Sequence, residues 1–86
     1  MTQLTVGLES EADFNIIRID DEEVLRGSGT KTGDLSRGLH VMTWQIKGQK
    51  GNKYTLSITE PEKASFTRSI TLDSFGLDFG FHEIEL

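Results

Sequence analysis

Apolar side chains recur at every second position through most of this chain, and turn-forming residues interrupt the pattern. Leu4, Val6 and Leu8 alternate with polar or small residues; so do Tyr54, Leu56 and Ile58, and later Phe66, Ile70 and Leu72 with Arg68 in phase. A period of two is that of a strand with one buried face. In "FNIIRI", Phe14 and Ile16 go to one face and Ile17 and Ile19 to the other. The central segment "GLHVMTWQIKG" puts His40, Met42, Trp44 and Ile46 on one side and Leu39, Val41 and Thr43 on the other. It is followed by "GQKGN", rich in residues that accept positive φ, and then by "KYTLSI", which predicts a hairpin. Helical spacing is scarce. Residues 35–39 are too few, and 60–65 contain Pro61 without an apolar stripe.

Between these strands, "DDEE" predicts a hairpin turn leading into a short strand, "VLR". The segment "GSGTKTGD", with Gly27, Gly29 and Gly33, predicts the longest loop. The last stretch, "SFGLDFGFHEIEL", changes phase. Phe75, Leu77, Phe79 and Phe81 share one parity; His82, Ile84 and Leu86 share the other. A slip of one residue near Phe81 or His82 predicts a β-bulge that bends the strand between two layers. Gly76, Asp78 and Gly80 lie opposite the phenylalanines. The alternative to bulge and curvature is that this strip is a landing surface for a ligand or another chain.

About seven short strands separated by turns predict an all-β fold: an antiparallel β-sandwich, immunoglobulin-like in the broad sense, as one domain over residues 1–86. A chain of this size buries only about 60–65% of the surface it exposes when unfolded. With no Cys, neither a disulfide nor a thiolate metal site supplements the core. The net charge of −5 argues against a nucleic-acid partner. Acidic residues concentrate in the first quarter, and Lys31, Arg37, Lys47, Lys50 and Lys53 make the middle basic. No apolar run approaches a membrane span, and no charged-then-apolar leader precedes the first strand, so no membrane insertion is expected.

The chemistry-bearing residues are few. His40 and His82 are the only histidines, and metal binding or acid–base work requires them together with carboxylates. No Ser sits in a Gly-x-Ser-x-Gly turn. "GSGTKTG" lacks the Gly-Lys-Ser/Thr ending and the following helix of a phosphate loop. The acidic run from Asp20 to Glu23 lacks calcium-loop spacing. No catalytic residue, metal ligand or cofactor is therefore expected. Trp44 and Tyr54 are the aromatics able to stack on a sugar or anchor a protein contact if exposed. Trp44 shares its face with Met42 and Ile46, which reads as core.

From "FNIIRIDDEEVLRG" through "DLSRGLHVMTWQIKG" the order of features resembles PEGA-type modules, small bacterial β-sandwiches that accompany larger surface or envelope proteins. Asp34, Leu35, Gly38, His40 and Val41 carry the likeness, which spans residues 14–47. The family's proline-containing turn and Thr-Pro pair are absent, and Asp20-Asp21-Glu22 replaces its Asp-Gly turn. The resemblance implies an accessory role and names no activity.

The expectation is a non-catalytic binding or protein-interaction module that contacts a protein partner or a second copy of itself. Its candidate binding residues are Trp44, Tyr54, Gly76, Asp78 and Gly80. The alternative is a carbohydrate-binding module using exposed aromatics, and a more remote one a small His-dependent hydrolase.

Overall fold

The computed structural model describes residues 2–86. Its strands are β1 (Thr2–Ser10), β2 (Phe14–Ile19), β3 (Glu22–Arg26), β4 (Gly29–Leu35), β5 (Leu39–Lys47), β6 (Lys53–Glu60), β7 (Phe66–Thr71) and β8 (Leu77–Glu85), with one 3-10 turn at Glu62–Ala64. They form two four-stranded antiparallel sheets, ordered β4-β1-β6-β7 and β3-β2-β5-β8. Alternate residues of both sheets meet in one core: Leu4, Val6, Leu8, Tyr54, Leu56 and Ile58 from the first, and Ile17, Ile19, Met42, Trp44, Ile46 and Ile84 from the second. Among the described residues no helix is long and apolar enough to cross a membrane.

Three expectations are corrected. The first concerns the Gly-rich segment after β3. It is a strand, β4, paired with β1 from Thr2↔Leu35 to Leu8↔Gly29. Its side chains are almost all exposed, so it carries no apolar alternation to announce it. Backbone pairing at the sheet edge suffices, and the strand total among the described residues becomes eight.

The second is the hairpin joining β5 to β6. These strands belong to different sheets: β5 pairs with β2 and β8, and β6 with β1 and β7. The link from Gly48 to Asn52 passes from one sheet to the other at the surface, held by Gln49 N–H donating to Asn52 Oδ1 at 2.8 Å. Both strands bury one face, and they bury it toward each other. Alternation reports which face is covered and says nothing about whether the covering strand lies beside or opposite.

The third is the bulge. The β5–β8 ladder runs unbroken from Leu39↔Glu85 to Lys47↔Leu77. Alternate residues Asp78, Gly80, His82 and Ile84 all turn inward, and Leu77, Phe79, Phe81 and Glu83 all turn outward. The backbone keeps its phase, and the apolar residues change faces.

The hairpin turn between β2 and β3 is as expected. Asp20 and Asp21 both take positive φ, 51° and 67°, the pairing of a type I′ turn. The Asp20 carboxylate accepts Val41 N–H at 3.0 Å and contacts His40 Nδ1 at 2.5 Å, fastening the turn to the start of β5.

Candidate functional site

β8 ends its sheet, so one long side of it has no strand partner. Gly38 and Leu86 exchange both backbone hydrogen bonds at 2.9 Å, and Gly48 N–H donates to Gly76 O at 2.8 Å. In an antiparallel ladder such pairs recur at every second residue. The even-numbered residues of β8 therefore bond to β5, and Leu77, Phe79, Phe81, Glu83 and Glu85 aim their N–H and C=O groups at the free edge. These same residues carry the outward side chains. Leu77 is 51% exposed, Phe79 73% and Phe81 68%, and Phe75, just before the strand, is 85% exposed. Shallow depressions flank Phe79. One is walled by Arg18, Thr43, Gln45 and Phe81, the other by Phe14, Lys47 and Leu77.

The inner face of β8 explains the placement of the phenylalanines. A Cβ on Gly80 would lie 2.7 Å from Trp44 Cζ2. The indole occupies the space that a side chain at position 80 would take, and it packs on Phe66 at 6.1 Å between ring centroids. Phe66 in turn stacks on His82 at 4.0 Å. The Arg68 guanidinium sits 5.4 Å from the Trp44 ring centre, in cation–π range. It donates from Nη2 to Asp78 Oδ2 at 3.1 Å and from Nε to the Tyr54 hydroxyl at 2.9 Å. The Tyr54 hydroxyl donates to Asp78. Burial, and then the hydrogen bond to Asp78, push the Tyr54 phenol up to about 12. This seam joins the inward side chains of β7 and β8. With Trp44, Gly80 and Asp78 filling it, large apolar residues at 79 and 81 have no place inside.

The five residues expected to bind thus lie as follows. Trp44 is 5% exposed and Tyr54 2%. Asp78 is occupied by Arg68 and Tyr54, and Gly80 lies beneath the indole. Gly76 adopts φ +68° with its would-be Cβ 2.2 Å from Gly48 O, a position open only to glycine. The structure brings Trp44, Tyr54, Asp78 and Gly80 together in the seam; Gly76 stands apart at the turn before β8. The exposed aromatics are others: Phe14 on β2 and, in or just before β8, Phe75, Phe79 and Phe81. The signal for the last three was the phase change itself, read as a backbone irregularity when it marked an exchange of apolar face.

The histidines have separate tasks. His40 is buried, with Nδ1 against Asp20 and Nε2 2.8 Å from Ser36 O. The bond to Asp20, followed by that to the Ser36 carbonyl, holds the imidazole above its ordinary pKa. His82 is stacked on Phe66. Among the described residues no three His, Cys, Asp or Glu side chains gather to hold a metal ion. No family model, curated protein or solved structure matches the chain.

Proposed function

We propose that this chain is a non-catalytic protein-interaction module, an immunoglobulin-like β-sandwich in the broad sense, whose contact surface is the free edge and outer row of β8. One observation carries the reading: Leu77, Phe79 and Phe81 stand exposed on the same residues whose backbone groups lack a strand partner. Natural sheets blunt such edges with Lys, Pro, bulges or short strands. The opposite edge of this sheet is blunted in that way: β3 has five residues, three of them charged, and its ladder shifts register between Ile17 and Arg18. β8 has nine residues in unbroken register, contains neither Lys nor Pro, and carries its outward charges, Glu83 and Glu85, only towards its C-terminal end. An edge left long and in register, with Leu77, Phe79 and Phe81 outward along its first half, suits a protein that adds a strand there.

The likeness to PEGA-type accessory modules supports the same reading. Carbohydrate stacking through Trp44 and Tyr54 is disfavoured by the burial of both rings. Acid–base catalysis through His40 is disfavoured because both of its ring nitrogens are engaged.

The test is a phage-displayed library of nine-residue peptides selected on the wild type and counter-selected on the double variant Phe79→Ser/Phe81→Ser. Binders are expected whose affinity drops about tenfold or more on the double variant, the loss typical of removing central aromatic anchors. A wild-type dimer that the same double variant dissociates would equally support the edge as a contact surface. Binders indifferent to the double variant, or a monomeric wild type that selects none, would overturn it.

A further inference from the structure

The outward row of β8 is not uniform. It reads Leu77, Phe79 and Phe81, then Glu83 and Glu85, an apolar half followed by an acidic half. On the neighbouring strand Glu83 faces Val41 and Glu85 faces Leu39, whereas Leu77, at the other end, faces Lys47. Among the described residues neither Glu83 nor Glu85 has an ion-pair partner. Charge along this edge therefore runs from positive beside Leu77 to negative at Glu85.

From this polarity, and resting on the reading of β8 as a contact edge, we infer that its occupant is an extended segment of another protein, added antiparallel, with cationic residues first and apolar residues after. Both sheets are antiparallel throughout, and an antiparallel neighbour makes the more stable ladder. Such a strand runs from the Glu85 end towards the Leu77 end. Its residues opposite Glu85 and Glu83 are Lys or Arg, and those opposite Phe81, Phe79 and Leu77 are aliphatic or aromatic. Direct cross-strand pairs on one face are the contacts that stabilise a sheet. Reversing the charge order sets a cation beside Lys47 and leaves both glutamates unmatched.

A second copy of this chain fits the edge less completely. Centring a two-fold pair on Phe79 matches Leu77 with Phe81 of the other copy, but both glutamates of each copy then find no cation. Two chains of net charge −5 also repel.

The probe is the labelled peptide Lys-Thr-Lys-Thr-Val-Thr-Ile-Thr-Val, titrated with the intact chain by fluorescence anisotropy. Saturable binding is expected, weakening with added salt and falling about tenfold in Glu83→Lys/Glu85→Lys. A companion peptide with Glu at both Lys positions is expected to prefer that variant. Both substituted sites are exposed, and unchanged Trp44 emission reports that the variant is folded. Equal affinity of the basic probe for wild type and charge-reversed protein overturns the inference, as does absence of binding. So does a stable wild-type dimer lost on Phe79→Ser, which gives the edge to a second copy. Binders from the library that depend on Phe79 and Phe81 but ignore Glu83 and Glu85 overturn this inference alone and leave the interaction reading standing.

Discussion

Gly80 and Gly33 are both glycines within strands, yet their surroundings differ. A Cβ at 80 meets the Trp44 ring at 2.7 Å, whereas one at 33 meets nothing within 4 Å. The indole cannot yield freely, being packed on Phe66 and capped by Arg68. Gly80→Val is therefore expected to destabilise by roughly 1–3 kcal/mol through overpacking, and Gly33→Val to change stability by less than about 0.5 kcal/mol. Urea unfolding of the two variants checks the contrast. Tyr54, the only tyrosine, offers a spectroscopic test of the seam. Its phenol is pushed up to about 12 from 10.0, first by burial and then by Asp78. The neutral phenol is favoured by the fold, so this contribution is complete below pH 10 and declines as pH rises through the folded value. Phenolate absorbance is expected to stay at or below about a tenth of its full value through pH 11 while the chain remains folded. Ionisation near pH 10 in folded protein would show the hydroxyl to be free of Asp78.

At the scale of the element, β8 carries its own internal control. Ile84 is 1% exposed and faces the core; Phe79 and Phe81 face solvent from the same strand. Ile84→Ala is expected to cost about 2–5 kcal/mol by loss of burial and creation of a cavity. Phe79→Ser and Phe81→Ser are each expected to stay within about 0.5 kcal/mol of wild type. Chemical denaturation of the three variants decides it, and a large loss on either phenylalanine would contradict the observed phase. The sequence signalled the existence of this strand well and its inner face poorly. Phe79 and Phe81 have the hydrophobicity of core residues; Gly80 and His82 do not. Only the positions of Trp44 and Phe66, brought from elsewhere in the chain, reveal that the space under Gly80 is already full.

For the whole molecule, the contact between Asp20 and His40 couples stability to pH. His40 is raised from 6.5 by its bonds to Asp20 and the Ser36 carbonyl, and Asp20 is lowered from 3.8 by His40 and the Val41 amide. Above 6.5 the folded state holds the His40 proton that the unfolded chain releases, so stability falls as pH rises through the folded value. Below 3.8 the unfolded chain takes up the Asp20 proton first, so stability falls as pH drops towards the folded value. The pair acts fully between about pH 3.8 and 6.5. In His40→Gln the difference in urea midpoint from wild type is expected to be largest within this window and to shrink on the alkaline side. A difference independent of pH would mean that His40 contributes only packing.

Local pattern by itself determined that the chain is built of strands, where most of them lie, and that Asp20 and Asp21 turn between two of them. Backbone periodicity and turn chemistry act over a few residues and are written into neighbouring positions. Tertiary structure decided the rest: that β5 and β6 face each other across the core, that the Gly-rich segment pairs with β1, and that the phenylalanines of β8 point outward. Each of these depends on which side chains arrive from distant segments to fill a common volume, and spacing along a strand carries no record of that.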